Sequence, residues 1–183
     1  MSNLPSNIGE EIRRIRKEMK ISLDTAAHLT GVSKSMLGQI ERGESNPSIS
    51  ILWKISNGFK VTLSNFVSGT SEKHSVVHLH ELNPIKEENG DMMLYNVFPF
   101  DPISGFDYFH IVINPHCRHE SLPHANVANE YIVVIEGTLR MTVNEEAFLL
   151  EKGSAMSFIG NSKHIYENVS DEKVVFQNVI RYI

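Results

Sequence analysis

The spacing of apolar residues changes along the chain, from a helical period in the first part to alternation in the rest. Ile8, Ile12 and Ile15 recur at three- and four-residue intervals, as on one face of a helix. From about residue 76 onward, apolar residues fall in short runs that are separated by turn residues. This change predicts an α+β chain of two domains, all-α and then all-β.

Five short helices are predicted in the first 67 residues. The second and third are joined by a tight turn at Gly31 and Val32. Ser33 is the N-cap of the third helix, and Gly43 closes it. Two helices joined in this way are typical of proteins that place the second one in the major groove of DNA. The five cover Ile8–Lys20, Leu23–Thr30, the stretch between Ser33 and Gly43, Ile49–Phe59, and Leu63–Val67.

Eight short strands are predicted in the rest of the chain. Short strands at regular spacing, separated by turns, are typical of an antiparallel sandwich or barrel. The predicted strands are Val76–Leu79, Met92–Phe98, Phe106–Ile113, Tyr131–Glu136, Leu139–Val143, Ala147–Leu150, Ala155–Ile159 and Val174–Ile180.

Charge divides the chain in the same way. Residues 1–68 hold nine Lys or Arg against six Asp or Glu, which gives +3. Residues 69–183 hold eight against sixteen, which gives −8. This asymmetry indicates that only the first part faces phosphates. The small, polar stretch 68–75 is predicted to be a linker between a domain over residues 1–67 and a second over 76–183.

The chain lacks the signals of export and of membrane insertion. No apolar run approaches the roughly 18–20 residues of a membrane span, and the first residues contain no apolar signal-peptide core. The single cysteine, Cys117, allows no intrachain disulfide and no cysteine zinc site. We therefore expect a cytoplasmic protein with no membrane partner.

Many positions of the first part agree in order with one known type of domain. The segment ISLDTAAHLTGVSKSMLGQIERGESNPSISILWKISNGFKVTLSNF resembles the DNA-binding domain of Cro-like regulators of the XRE family, over about residues 8–67. The resemblance implies that the third helix reads base edges through Lys34, Ser35 and Gln39, since glutamine suits adenine and lysine suits guanine. It implies phosphate contacts from helix N-termini and from the loop after the third helix. The candidates for phosphate contact are Ser22, Arg42, Ser45 and Asn46.

The same resemblance implies one structural ion pair. Arg16 in the first helix and Glu41 at the end of the third occupy the positions of a pair that orients the recognition helix. An amphipathic bundle of this size is also compatible with a protein-interaction module. The ordered motif favours DNA binding over that alternative.

Two stretches of the second part have the spacing of a barrel family. The first stretch, PHANVANEYIVVIEG, contains His124, Asn126, Glu130 and Gly137. The second stretch, GSAMSFIGNSKHIYEN, contains His164. Over roughly residues 105–180 these spacings resemble the two cupin motifs, which implies a double-stranded β-helix, the cupin jelly-roll barrel. Asn126 stands where the family has a second histidine.

The second domain carries candidate ligand-binding residues. The resemblance implies that His124, Glu130 and His164 could hold a divalent metal, since imidazole nitrogen and carboxylate oxygen suit zinc, iron, manganese or nickel. The interpretation that we favour is a metal-free pocket in which polar side chains hydrogen-bond a small organic effector. The pocket residues would be His124, Asn126, Glu130 and His164, and neither interpretation implies turnover or a catalytic residue.

A helix-turn-helix head joined to a cupin barrel resembles a family of small bacterial transcription regulators. We expect a homodimer, not an enzyme, that binds a double-stranded DNA operator through its head and senses a small-molecule effector through its barrel. The alternative is a metal-dependent cupin oxygenase or isomerase with a DNA-binding head and a triad of His124, Glu130 and His164. A third interpretation is a DNA-binding protein whose barrel only dimerises.

Overall fold

The computed structural model describes residues 8–66, 76–87, 90–102, 104–124 and 126–183. The chain divides into two compact units, Met1–Asn83 and Pro84–Ile183. The predicted linker 68–75, and the predicted end of the first domain at residue 67, lie outside the described residues. In the part of the chain that is described, no helix is long and apolar enough to cross a membrane.

Four α-helices form the first unit within its described residues. The last three each begin behind a serine, Ser22, Ser33 or Ser48, whose hydroxyl accepts a hydrogen bond from the amide three residues later. Gly31 ends the second helix with a left-handed φ of 67°. The helices are α1 Ile8–Glu18, α2 Leu23–Thr30, α3 Lys34–Glu41 and α4 Ile49–Phe59.

The predicted fifth helix is not confirmed as an α-helix. Leu63–Phe66 forms a single 3-10 turn, and the predicted end at Val67 is not among the described residues. Leu63 and Phe66 are both buried. A 3-10 helix places residues three apart on the same side, so four residues suffice to bring both side chains into the core.

A close approach between α1 and α3 fixes the position of α3. Ile12 of α1 and Leu37 and Ile40 of α3 are buried in the core of the unit. A Cβ atom on Gly9 would lie 1.9 Å from the carbonyl oxygen of Ile40, so only glycine allows the two helices to pack at this distance. The last turn of α3 is therefore held against the start of α1.

Ten strands, counted over the described residues of the second unit, form two antiparallel sheets. A six-stranded sheet has the order β1-β2-β3-β10-β5-β8, and a four-stranded sheet has the order β4-β9-β6-β7. An all-α unit followed by an antiparallel β unit is the predicted fold class. The strands are β1 Ile85–Lys86, β2 Met92–Phe98, β3 Phe106–Ile113, β4 Arg118–Ser121, β5 Val127–Glu136, β6 Thr138–Val143, β7 Glu146–Glu151, β8 Ala155–Ile159, β9 His164–Glu167 and β10 Val174–Tyr182.

The strand predictions include one wrong strand and miss three short ones. The predicted strand Val76–Leu79 is wrong, because Val76 is exposed and Leu79–Glu81 forms a 3-10 turn. The sequence did not reveal β1, β4 or β9. In β4 the buried positions belong to His119 and Ser121, which are polar, so no apolar alternation marks the strand.

The inner faces of the two sheets meet in an aromatic interior. Tyr166 of β9 stacks on Phe176 of β10 with ring centroids 5.3 Å apart, which joins the four-stranded sheet to the six-stranded one. Phe109, Ile111 and Phe176 are fully buried. The interior also contains several buried polar side chains, which need an explanation because burial of an unpaired polar group is unfavourable.

Candidate functional site

A bidentate ion pair holds α3 against α1. Arg16 Nε and Nη2 donate to Glu41 Oε1 and Oε2 at 2.6 and 2.7 Å, and Arg16 also donates to the carbonyl of Ile21 at 3.0 Å. Both side chains are largely buried, and the hydrogen bonds from Arg16 to Glu41 raise the pKa of Arg16 above its ordinary value. The predicted structural pair is confirmed, and it orients α3 from its C-terminal end.

The predicted DNA-contacting residues lie on the surface of the first unit. Lys34, Ser35 and Gln39 of α3 are exposed, while Leu37 and Ile40 face the core. The remaining candidates are Ser22, Arg42 and Asn46, which are exposed, and Ser45, which is half-buried.

Several of these exposed groups are already engaged within the unit. Lys34 Nζ lies 2.8 Å from Asp24 Oδ2. Arg42 donates to both carboxylate oxygens of Glu44 at 2.7 Å. The Ser22 hydroxyl accepts a hydrogen bond from the Thr25 amide at 3.1 Å. The surface that would face DNA therefore carries its own acidic partners.

Three ligand-type side chains converge inside the β unit. His124 precedes β5, Glu130 lies on β5 and His164 begins β9. Their ligand atoms all lie within 4.8 Å of one another. Glu130 Oε1 is 3.6 Å from His124 Nε2 and 3.7 Å from His164 Nε2, and all three side chains are at most 2 % exposed.

The outer contacts of this cluster orient its inner atoms. Glu130 Oε2 accepts hydrogen bonds from the Tyr166 hydroxyl at 3.1 Å and from Asn178 Nδ2 at 2.8 Å. His164 Nδ1 lies 2.9 Å from the carbonyl oxygen of Ser162. Because a carbonyl oxygen only accepts, His164 Nδ1 donates this hydrogen bond, which fixes the ring with Nε2 toward the cluster. Glu130 Oε1 and His164 Nε2 have no hydrogen-bond partner among the described residues.

Burial sets the protonation of His124, in the cluster, and of Tyr166, which contacts it. Burial, reinforced by His164 and His119, holds the pKa of His124 well below its ordinary value, so its imidazole is neutral at pH 7. Burial, followed by the Glu130 carboxylate, raises the pKa of Tyr166 well above its ordinary value. Tyr166 therefore keeps its proton and donates a hydrogen bond to Glu130.

This donor set fits a divalent cation. Neutral imidazole nitrogens and one carboxylate oxygen are ligands for zinc, iron, manganese and nickel. Glu130 Oε1 and His164 Nε2, for which the described part of the chain supplies no hydrogen bond, face one another across the cluster. Three protein ligands leave further coordination positions for a small molecule.

The structure does not bring Asn126 into the cluster. Its backbone is left-handed, with a φ of 63°, and the residue is exposed. Val127, which directly follows this turn, is 2 % exposed.

The sequence did not single out three polar residues of the interior: His119, Tyr166 and Asn178. His119 stacks on Tyr166 with ring centroids 6.3 Å apart. Tyr166 is two residues after His164 on β9, and this spacing places them on one face. The alternation of β10 likewise places Asn178 among its buried positions. This alternation could have indicated from the sequence that Asn178 faces the interior.

The chain is similar to known regulators over its whole length. Residues 12–66 match the helix-turn-helix family HTH_3, and residues 109–180 match the cupin domain family Cupin_2. The HTH-type transcriptional regulator SutR of Escherichia coli is 35 % identical over 182 residues, which cover 100 % of this chain and 98 % of that protein. The HTH-type transcriptional regulator PuuR of Escherichia coli is 25 % identical, with 88 % of each chain covered.

Solved structures also include a regulator that is similar to this chain over nearly its whole length. A crystal structure of an HTH_3 family transcriptional regulator from Vibrio cholerae has a TM-score of 0.81 and 35 % identity, and covers 98 % of this chain and 97 % of its own. Hydroxypropylphosphonic acid epoxidase from S. wedmorenis has a TM-score of 0.51 and 14 % identity, covering 98 % of this chain and all of its own, which shows a shared fold alone. The chain belongs to the HTH-type transcriptional regulators that combine an XRE-type helix-turn-helix domain with a cupin domain, and its function is that of a DNA-binding regulator of transcription.

Proposed function

We propose that the barrel of this regulator senses a small-molecule effector at the cluster of His124, Glu130 and His164. The observation that supports this is the pair of buried atoms, Glu130 Oε1 and His164 Nε2, which have no hydrogen-bond partner among the described residues. A buried polar atom without a partner costs about 1–3 kcal/mol. The arrangement is favourable when a ligand supplies the missing contacts.

A divalent cation is the first component that this cluster would bind. Glu130 would supply the negative charge, and a ring nitrogen of each histidine would supply a lone pair to the bound cation. When bound, the cation would provide a Lewis-acid contact for an anionic or carbonyl group of the effector. Tyr166 and Asn178 hold the outer oxygen of Glu130, which fixes the carboxylate for binding.

Metal analysis separates this proposal from a metal-free pocket. The purified full-length chain is loaded with Mn²⁺ or Zn²⁺, and the bound metal is counted after exhaustive dialysis. We expect about one metal per chain, lost in His164→Ala and retained in His116→Ala, which changes an exposed histidine of the same unit. Retention of metal by His164→Ala would refute the metal site. With no metal in any sample, the effector would have to bind the side chains directly, as a metabolite thermal-shift screen would test.

Binding without turnover is the role that we assign to the cluster. The support is that relatives covered along nearly their full length, SutR and PuuR, carry the names of transcriptional regulators. A regulator must meet the operator, so we also assign it to the compartment that holds the DNA.

Base reading is assigned to Lys34, Ser35 and Gln39, the exposed side chains of α3. The support is that α3 is held at its C-terminal end by Arg16 and Glu41 while its outer face stays accessible. Phosphate contacts are assigned to side chains at the start of α2 and in the loop after α3: Ser22, Arg42, Ser45 and Asn46.

A homodimer formed through the six-stranded sheet is the assembly that we propose. The outer side of this sheet exposes neighbouring apolar side chains on β5 and β8, which a monomer would leave in water. These side chains are Tyr131, Val133, Ile135 and Ile159, between 41 and 59 % exposed.

The outer side of the four-stranded sheet has the opposite character, which makes it the solvent side. Ion pairs cross it at 2.7–3.7 Å: Lys163–Glu120, Arg140–Glu167 and Arg118–Glu120. The contrast between the two outer faces supports an interface on the apolar one. A two-fold interface would present two heads to successive faces of the operator.

A further inference from the structure

We infer that Asp24 is a positioning residue for base recognition, which acts by holding the ammonium group of Lys34 at the start of the recognition helix. This inference rests on the proposed base contact of Lys34. By this inference, a residue of α2 contributes to the base specificity of the recognition helix α3.

The geometry of the pair links two helices. Asp24 lies in the first turn of α2, Lys34 is the first residue of α3, and Asp24 Oδ2 is 2.8 Å from Lys34 Nζ. Both side chains are well exposed, 70 and 59 % respectively. The lysine head is therefore held on the open side of the helix pair and remains accessible to a ligand.

An ammonium group can keep this partner while it reads a base. It has three donors and no fixed plane, and Asp24 uses one of them. The remaining two can reach the acceptors of a guanine edge. A free lysine side chain loses several rotamers when it is immobilised at an interface, whereas a lysine already held by Asp24 loses fewer.

The charge of Asp24 has a second effect that is independent of sequence. A carboxylate close to the DNA backbone repels phosphates and lowers the affinity for every duplex, specific or random. Removal of Asp24 should therefore raise non-specific binding and, at the same time, remove the orientation of Lys34. These two effects act in opposite directions on the specific complex, so the ratio of specific to random affinity isolates the orientation.

Glu44 provides a matched comparison on the same surface. It is exposed and forms a bidentate pair with Arg42, which we assign to phosphate contact. Glu44→Gln removes the same charge as Asp24→Asn but leaves Lys34 in place. Glu18→Gln removes a charge from α1, a helix to which we assign no DNA contact and in which Glu18 pairs with Arg14.

The experiment measures affinity for two duplexes by fluorescence anisotropy. One duplex is selected from a random pool by the wild-type full-length protein, and the other is a scrambled version of it. For Asp24→Asn we expect the ratio of the two affinities to fall about two- to tenfold, with a loss of preference at one base pair. For Glu44→Gln we expect both affinities to rise together and the base preference to stay, and for Glu18→Gln we expect no change in the ratio.

A double-mutant comparison completes the test. In the background of Lys34→Ala, Asp24→Asn should no longer change the ratio, because the side chain that it positions is gone. If Asp24→Asn behaves like Glu44→Gln in the wild-type background, the positioning role is refuted. If Lys34→Ala itself leaves base preference intact, the proposed base contact of Lys34 is refuted. This outcome differs from refutation of the positioning role, in which Lys34→Ala loses base preference and Asp24→Asn does not. Circular dichroism at the assay temperature confirms that each variant keeps its helix content.

Discussion

Tyr166 donates its hydroxyl hydrogen to Glu130 Oε2 across the interior, from β9 in one sheet to β5 in the other, at 3.1 Å. This bond leaves the other oxygen of Glu130 facing His124 and His164. One carboxylate oxygen is thus held in place by the fold, while the other is available to a ligand. The side chain that binds and the side chain that orients it come from different sheets, so the cluster depends on the packing of the two sheets against each other.

Tyr166→Phe should weaken metal binding without removing a ligand. The change deletes one of the two hydrogen bonds to the outer oxygen of Glu130, and loss of such a partner reduces metal affinity about 10–100-fold. Titration of the metal-free protein with Zn²⁺ against a competing chelator measures the effect. Tyr95→Phe, on β2, is the control and should bind as tightly as the wild type. Equal affinity in both variants would show that Tyr166 does not support the site.

Gln39→Ala should relax base preference at one position. The exposed amide of Gln39 is suited to pair with adenine, and such a contact contributes about 1–3 kcal/mol. Binding to a panel of duplexes with single base-pair changes measures the preference. Asn46→Ala, in the loop assigned to phosphate contact, should instead weaken binding to all duplexes alike. Equal loss on every duplex for Gln39→Ala would contradict base reading by this residue.

Glu41→Ala should destabilise the first unit. It removes the partner of Arg16 and leaves a largely buried guanidinium without its carboxylate, which we expect to cost about 3–5 kcal/mol. The single Trp53 is buried in α4 and reports unfolding of this unit by fluorescence. Glu11→Ala breaks an exposed pair with Arg14 and should cost less than about 1 kcal/mol. Similar midpoints in denaturant for the two variants would contradict a structural role for the buried pair.

Sequence patterns predicted the strands whose inward-facing side chains are mostly apolar. The predicted strands Met92–Phe98, Phe106–Ile113 and Ala155–Ile159 coincide with β2, β3 and β8, because apolar alternation runs through each of them. The strands β4 and β9 were missed because their inward positions carry His119, Ser121 and His164. The same polar residues that hide a strand from hydrophobic patterning make its inner face a candidate for ligand binding.

The candidate cluster was only partly accessible from the sequence. Motif spacing drew attention to His124, Glu130 and His164, which the structure brings together. The orienting contacts of Glu130 come from residues 36 and 48 positions away, Tyr166 and Asn178, and no local pattern predicts such pairs. Asn126 was included by spacing alone, and a left-handed backbone places it on the surface instead.

Asn96→Leu should stabilise the protein. Asn96 lies on β2 opposite the buried Phe109, and neither amide atom of its side chain has a hydrogen-bond partner among the described residues. Removal of an unsatisfied buried amide should raise the free energy of unfolding by about 1–3 kcal/mol. Asn168→Leu is the opposite case, because the two hydrogens of Nδ2 are shared among three carbonyl oxygens at 2.7–3.3 Å, those of Ile113, Asn114 and Glu172. Thermal unfolding should move upward for the first variant and downward for the second, and a loss of stability in Asn96→Leu would show that its amide is satisfied in solution.

Val133→Arg should convert the proposed dimer into a monomer. Val133 lies on β5 within the apolar outer face of the six-stranded sheet, and a guanidinium buried there without a partner would cost several kcal/mol. Sedimentation velocity measures the assembly state of the full-length chain. Leu149→Arg is the matched control, because Leu149 is an exposed apolar residue on β7 of the other sheet, and this variant should remain dimeric. A wild-type monomer, or a dimer that persists in Val133→Arg, would exclude this face as the interface. If the interface is correct, Val133→Arg should also lose operator affinity with its base preference unchanged, because each head still reads its half-site but the two no longer bind as one unit.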